Sequence, residues 1–461
     1  LMMEAHPLYK KNTGHDAASL HNWKESLVSE PYRSYLYSYP HKTAYGELEK
    51  RIELSELWSA EPAETFFLYM HIPFCGARCG FCNLFTLPDK RQSVHEQYVD
   101  ALERQARQWA PYVGHKPFAR FAIGGGTPTL LEPQLLERLF HIAGEAMGLD
   151  EQQASISVET SPETVTRERL RILKDHYVDR VSMGIQSFVE QEAAAIYRPQ
   201  RPLEVERALD LLKSQQFPVL NLDLIYGLPG QTIESWMYSL GRALSYEPEE
   251  IFLYPLYTRE HTIVKPEDIR RDGGGTDNRM MCYLAAREHL LSQGYTQYSM
   301  RRFAKADVSL AKTILPYGCQ EEGMVGLGCG ARSYTRNVHY ASRYGVSRSA
   351  TESIIADYVA AERYDRADYG FILDVPEQKR RFILKALLHR EGLALGAYEE
   401  RFGSRVMEDY PELHLLPDTG LAEMDAESLR LTDEGIAYSD AIGDWFISPE
   451  VRKRMEGYVL A

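Results

Sequence analysis

The chain has 461 residues, 44% of them apolar, and its 52 basic and 66 acidic residues give a net charge of −14. That length supports one large core with a smaller second domain, and the acidic balance without a basic patch argues against nucleic acid or anionic membrane as partners. No run reaches the roughly 18 uncharged residues of a membrane span. Six cysteines are too few for a disulfide framework, so the sequence reads as a soluble cytoplasmic protein with reduced thiols.

Residues 1–65 form an N-terminal extension of mixed helix and coil. Its distinctive piece carries Tyr32, Tyr35, Tyr37, Tyr39 and Tyr45. The alternation fits either a strand with one wet face or an aromatic lid that keeps water from a reactive site. Phe66 to Ile72, FFLYMHI, then reads as a buried strand. From 66 to about 260, short apolar runs alternate with amphipathic stretches, the signature of repeated βα units on a parallel sheet. The further strands are expected at 118–123, 156–160, 179–186, 218–227 and 251–257, with helices at 92–112, near 132–147, 162–176 and 188–216, and near 231–246. Six strands are too few for a closed eight-unit barrel of about 250 residues, so a partial (βα)6 barrel, open at the side, is the predicted α/β architecture.

The segment 261–370 is expected to close the barrel and link onward. It holds the glycine-rich, charged loop 265–278, a helix at 279–293, a strand near 295–299 and the stretch MVGLGCGARSY at 324–334. Residues 371–461 read as a small winged-helix-like α+β domain, with helices at 378–389 and 392–402 and a strand, turn and last helix over 429–447. Glu399, Glu400, Glu408 and Asp409 are expected on a solvated helix face.

The chemistry concentrates in four places. Cys75, Cys79 and Cys82 form a C-x3-C-x2-C array at the exit of the first strand, with Gly76 and Gly80 letting the backbone wrap one small inorganic centre. A structural zinc site wants four ligands and nothing nearby completes one, whereas a [4Fe-4S] cluster held by three cysteines leaves one iron for a chelating ligand; the alternative is a set of buried, inert thiols. The glycines of Gly124, Gly125, Gly126, Thr127 and Pro128 follow the second strand and let backbone amides approach a ligand, where a lone tight turn would need only one glycine. Glu159, Gln186 and Asp223 are polar groups at or inside strands, where each needs a partner, protein or ligand. Arg198 suits a carboxylate or ribose edge, or else a solvated surface. Cys282, Cys319 and Cys329 read as buried or incidental cysteines, and His71 as a core histidine beside the cluster loop.

HIPFCGARCGFC together with GGGTP resembles the radical SAM superfamily, in the branch of the oxygen-independent coproporphyrinogen III oxidases and the related heme chaperones, and the similarity runs through NLDLIYGLPGQT and GLGCGARSY. The resemblance implies a [4Fe-4S] cluster on Cys75, Cys79 and Cys82, one S-adenosylmethionine (SAM) or two, and GGGTP holding the SAM amino group. It also places Glu159, Gln186, Arg198 and Asp223 around SAM, with Tyr69 and Phe81 beside the adenine and the cluster. An electron donor such as flavodoxin or ferredoxin would reduce the cluster, SAM would cleave to a 5′-deoxyadenosyl radical, and that radical would take hydrogen from a small organic substrate, possible tetrapyrroles included. The rival functions are a methyltransferase or cyclase using two SAM, and a heme chaperone without turnover. The chain departs from the oxidases at Asn83, where they carry a further cysteine, and from the chaperones, which usually read Asp-Phe there. That combination resembles an uncharacterised bacterial subgroup.

Overall fold

In the computed structural model, which describes residues 17–198, 200–258, 262, 264–265, 278–305, 322–345 and 347–458, the βα alternation is present in the expected order. The strands are β1 (Gly46–Glu53), β2 (Phe66–Ile72), β3 (Phe74–Cys75), β4 (Leu87–Pro88), β5 (Phe118–Gly125), β6 (Ser155–Thr160), β7 (Arg180–Gln186), β8 (Val219–Tyr226) and β9 (Glu250–Pro255). They continue with β10 (Tyr295–Gln297), β11 (Arg302–Lys305), β12 (Met324–Leu327), β13 (Arg332–Tyr334), β14 (Val338–Ala341), β15 (Arg366–Ile372), β16 (Leu393–Ala394), β17 (Ala422–Met424) and β18 (Ser428–Leu431). The loop 265–278, except for its two end residues, and Cys319 lie outside the described residues.

The chain divides into two compact units. The larger comprises the described residues of Tyr45–Tyr295, Ala304–Leu373 and Tyr458–Ala461. Its sheet runs in the order β1-β15-β14-β13-β12-β2-β5-β6-β7-β8-β9. From β2 to β9 the pairing is parallel throughout, and β12 also runs parallel to β2. From β12 to β1 it is antiparallel. The sheet is therefore mixed and unclosed, with the six predicted parallel strands side by side within it. These strands were readable because a parallel sheet buries both faces and leaves nearly continuous apolar runs: β2 is buried at every position but Tyr69. The helices Gln92–Val113, Pro133–His141, Arg167–Asp175, Pro202–Gln215 and Ile233–Leu244 are the crossovers. The antiparallel extension β13–β15 and β1 was not anticipated, nor the helix Arg348–Ala360; β1, GELEKRIE, is too charged and too exposed to carry an apolar signal.

The smaller unit comprises the described residues of Leu1–Ala44 with Thr296–Phe303 and Asp374–Gly457. It has a three-stranded antiparallel sheet, β16-β18-β17, among short helices, the small α+β element expected near the C-terminus. The sequence expectation ended on the helix at 447; a further one, Pro449–Glu456, follows, capped by Ser448. The tyrosine segment is not a strand. Tyr32 and Tyr39 are buried within this unit, where the Tyr39 hydroxyl donates to Glu377 and the Tyr35 ring lies 3.8 Å from the Arg301 guanidinium. Asp409 is not on a solvated face: it accepts from Lys379, Tyr398 and Ser404 at 2.8, 2.7 and 2.5 Å. Among the described residues no helix is long and apolar enough to cross a membrane.

Candidate active site

The end of β2 delivers the chain through Pro73 into the cysteine loop. Cys75, Cys79 and Cys82 are all half-buried, and the loop is pinned by a small number of close contacts. Gly80 donates to the Ile196 carbonyl at 2.7 Å and accepts from the Val264 amide at 3.2 Å. A Cβ on Gly80 would stand 2.8 Å from the Tyr197 ring, and one on Gly76 would collide with the Glu163 carboxylate. Side chains at either position would displace Glu163 or Tyr197 from the loop. Burial, with the neighbouring Cys82, pushes the Cys75 thiol up to about 12, and burial raises Cys79 against the opposing pull of the Arg198 guanidinium. Buried thiols in this state favour deprotonation only when a cation compensates them.

Arg198 supplies part of that compensation: its Nη1 donates to the Cys79 sulfur at 3.6 Å, and its other nitrogens donate to the Gly184 carbonyl and to Gln200 Oε1 at 2.7 Å. It is a partly buried arm beside the cysteines, not a solvated arginine. Thr127 donates to Cys75 Sγ at 3.9 Å, and Cys82 lies 3.8 Å from Thr86 Oγ1.

Gly124, Gly125, Gly126, Thr127 and Pro128 turn out of β5 directly beside this loop. Gly126 N donates to the Ile72 carbonyl and Thr127 N to the Phe74 carbonyl, both at 2.7 Å. Gly125 has φ of +114° with the His71 ring against it, a backbone that only glycine adopts without strain. His71 Nε2 faces the Phe85 carbonyl at 2.8 Å, an acceptor, so that nitrogen carries the proton and Nδ1 accepts from Tyr69 at 3.2 Å. Gly330 approaches both His71 and Phe85 closely, so the glycine-rich 324–334 stretch walls the same region. Tyr69 packs against Phe67, Ala122, Met324 and Tyr334, and Phe81 against Ile196, Ile225, Leu228, Leu256 and Val264.

Strand register puts the remaining polar groups on one inner face. Glu159 pairs with Ser182, Gly184 with Asp223, and Asn221 with both Ser182 and Glu250, so the period-2 alternation aims all of them inward. Glu159 accepts from the Gly125 amide at 3.1 Å. Asp223 accepts from Asn221 at 2.8 Å and Ser182 at 3.4 Å. Both carboxyls are enclosed by protein yet keep some accessible surface. Desolvation raises Glu159 to about 7, moderated by the Gly125 hydrogen bond, and Asp223 to about 6, moderated by Arg180. Gln186 has φ of +70° at a β-bulge against β8, and its side-chain nitrogen lies against Gly184. Beneath the carboxylates Arg180 donates to Glu250 at 2.7 Å and Ser157 at 3.0 Å. This supporting layer, and Glu163 and Thr86 beside the cysteines, were missed in the sequence. The signal for the layer was the same polar-in-strand pattern that singled out Asp223.

Two stretches of the chain match known families: residues 69–242 the radical SAM superfamily and residues 373–438 the HemN C-terminal domain. The oxygen-independent coproporphyrinogen III oxidase of Salmonella typhimurium is 26% identical, covering 90% of this chain and 93% of that protein. That of Escherichia coli is 27% identical over 90% of this chain and 93% of its own. Heme chaperone HemW of Bacillus subtilis is 26% identical over 80% of this chain and 95% of its own. The solved coproporphyrinogen III oxidase (HemN) from Escherichia coli has the same fold, with a TM-score of 0.76 over 92% of this chain and 98% of that one at 24% identity. Residues 69–242 are thus a radical SAM domain, which holds the cysteine loop, the glycine turn and the inward carboxylates, and residues 373–438 are a HemN C-terminal domain.

Proposed function

We propose that this protein is a SAM-cleaving oxidoreductase of the coproporphyrinogen oxidase kind, taking hydrogen from an organic substrate of tetrapyrrole class. The observation that carries the reading is the meeting of Cys79, Arg198 and Gly184 with the Gly125–Glu159 hydrogen bond at the C-terminal ends of β2, β5, β6 and β7, where active sites of such sheets gather. Cys75, Cys79 and Cys82 are the proposed ligands of a [4Fe-4S] cluster, which when bound and reduced by a flavodoxin- or ferredoxin-like donor supplies the electron that breaks a carbon–sulfur bond of SAM.

The chain's own groups do the binding. Ionised Glu159, already at the Gly125 amide, is placed to accept from an ammonium group at the Gly124–Pro128 turn. Asp223 and Gln186 present acceptors and donors on the same inner face for hydroxyls, and Arg198, held by Cys79, Gly184 and Gln200, brings a positive charge that attracts a carboxylate. Tyr69 and Phe81 supply apolar walls that exclude water. A heme chaperone is the second reading, favoured by the similarity to HemW.

The test is mass spectrometry of the nucleosides formed by anaerobically reconstituted, reduced protein given SAM and cell extract. The oxidase reading expects deoxyadenosine without S-adenosylhomocysteine. The two together would make the protein a methyltransferase that uses a second SAM. Neither, from protein that holds iron and sulfide, would overturn the enzyme reading, and stoichiometric heme binding would then support the chaperone.

A further inference from the structure

At the opposite end of the sheet from the cysteines, before the N-terminal ends of β6 and β7, four side chains converge with the chemistry of a metal site. Glu137 and His141 are one turn apart on the helix Pro133–His141, an i, i+4 pair sharing a face. His176 caps the C-terminus of the helix Arg167–Asp175. Its ring is stacked on Phe140, centroids 4.4 Å apart at 8°, and this fixes the plane of the imidazole. His176 Nε2 lies 2.9 Å from Glu137 Oε1, and His141 Nε2 lies 3.6 Å from the same oxygen. Glu137, His141 and His176 each offer one ligand atom, and all three atoms lie within 4.8 Å of one another.

The other ring nitrogen decides what the cluster is for. His176 Nδ1 sits 2.9 Å from both carboxylate oxygens of Glu151. His176 is largely buried, with 13% of its side chain exposed, and Glu151 has 19%. An ionised carboxylate only accepts, so Nδ1 carries a proton and donates it to Glu151. Nε2, facing a second carboxylate, then holds either another proton or a cation. A carboxylate that orients a histidine through its far nitrogen, leaving the near one for a metal, is the outer-shell arrangement that metal-binding histidines use. Two imidazoles and one carboxylate suit zinc-class divalent ions, and the outward exposure of His141 and Glu137, 54% and 40%, gives an entry path.

The geometry points to a zinc-class divalent cation site formed by Glu137, His141 and His176, oriented by Glu151, that clamps two crossover helices at the end of the sheet remote from the reaction. Its position at the N-terminal ends of the strands, where side chains serve stability, makes it a site independent of the proposed function, with the fourth position that three protein ligands leave open on the solvent side filled by water.

The test uses the full chain with its cluster reconstituted, titrated with zinc chloride against a chromophoric chelator. His176→Gln and Glu151→Gln are compared with the wild type, and iron per chain is measured alongside. One zinc should bind per chain, with X-ray absorption showing nitrogen and oxygen ligands at about 2.0–2.2 Å and no sulfur at about 2.3 Å. Glu151→Gln should weaken binding about 10- to 100-fold and His176→Gln should abolish it, with iron content unchanged. Zinc should raise the melting temperature of the wild type and leave that of His176→Gln where it was. No zinc retained by the wild type, zinc bound by sulfur, or equal affinity in both variants would overturn the site and leave a plain ion-pair network around His176.

Discussion

At the scale of single residues, Cys75 and Glu159 carry the sharpest consequences. Cys75 cannot be spared from a three-thiol set, so Cys75→Ala should abolish reductive SAM cleavage and lower iron per chain after reconstitution; cleavage at the wild-type rate by that variant would remove the cysteine assignment. Glu159 is a pH reporter. Its carboxyl is raised to about 7, first by desolvation, so in the ligand-free protein the folded state binds this proton more tightly than the unfolded chain. The stability contributed by the protonated carboxyl is fully present below the unfolded value and is lost as pH rises through about 7. Glu159→Gln should flatten that window and melt higher than the wild type at pH 8, while Asp223, raised to about 6, leaves a residual slope of the same sign. Under the proposed function SAM binding should run the other way, because the ionised form is the one that would hold the ammonium group. Affinity should rise as pH passes 7, and Glu159→Gln should lose that dependence together with about 10- to 100-fold of affinity, the equivalent of one charged hydrogen bond, as measured by isothermal titration.

At the scale of elements, the glycine turn separates two kinds of close approach. A Cβ on Gly126 would meet the Phe74 carbonyl oxygen at 2.5 Å, backbone that belongs to the cysteine loop; one on Gly124 would meet the Glu159 carboxyl group at 2.8 Å, the end of a side chain. Gly126→Ala should therefore destabilise the fold by about 1–3 kcal/mol, the usual cost of overpacking, and disturb the cysteine loop. Gly124→Ala should keep near-native stability and lose SAM affinity, because Glu159 must turn away from the Gly125 amide. Calorimetry and binding on the two variants distinguish these outcomes. The same turn shows what a sequence discloses. β5 and its glycines were legible because a doubly buried strand and three consecutive glycines are local patterns. The partners that give those glycines their meaning were not: His71 against Gly125 and Gly330, and Glu163 against Gly76, come from distant positions and leave no mark on spacing. β1 and β13–β15 were hidden for a related reason. They are antiparallel and partly exposed, β13 and β14 only three and four residues long and β1 and β15 interrupted by charged residues, so each lacks the apolar run that announced β2.

At the scale of the whole molecule, domain boundaries drawn along the sequence miss that one unit is built from distant pieces. The tyrosine segment was grouped with everything up to residue 65, yet the described residues up to Ala44 form a unit with Thr296–Phe303 and Asp374–Gly457, while β1 joins the large sheet. Arg301 is the side chain that makes this assembly physical. It donates to both carboxylate oxygens of Asp440 at 2.7 and 2.6 Å, with 8% and 4% of the two side chains exposed, and its guanidinium covers Tyr35. Three stretches far apart in the chain thus share one buried ion pair and one cation–π contact. Removing a single partner of a buried pair leaves the other charge uncompensated and costs about 3–5 kcal/mol. Asp440→Ala should therefore loosen all three stretches together. In native-state hydrogen exchange, peptides from 17–44, 296–303 and 374–457 should lose protection to a common extent, the behaviour of a single cooperative unit. Loss confined to 374–457, with 17–44 as protected as in the wild type, would mean that the N-terminal stretch holds its structure without Arg301. Its place in the fold would then rest on its own buried aromatic contacts, such as Trp23 against Trp445 at 5.2 Å.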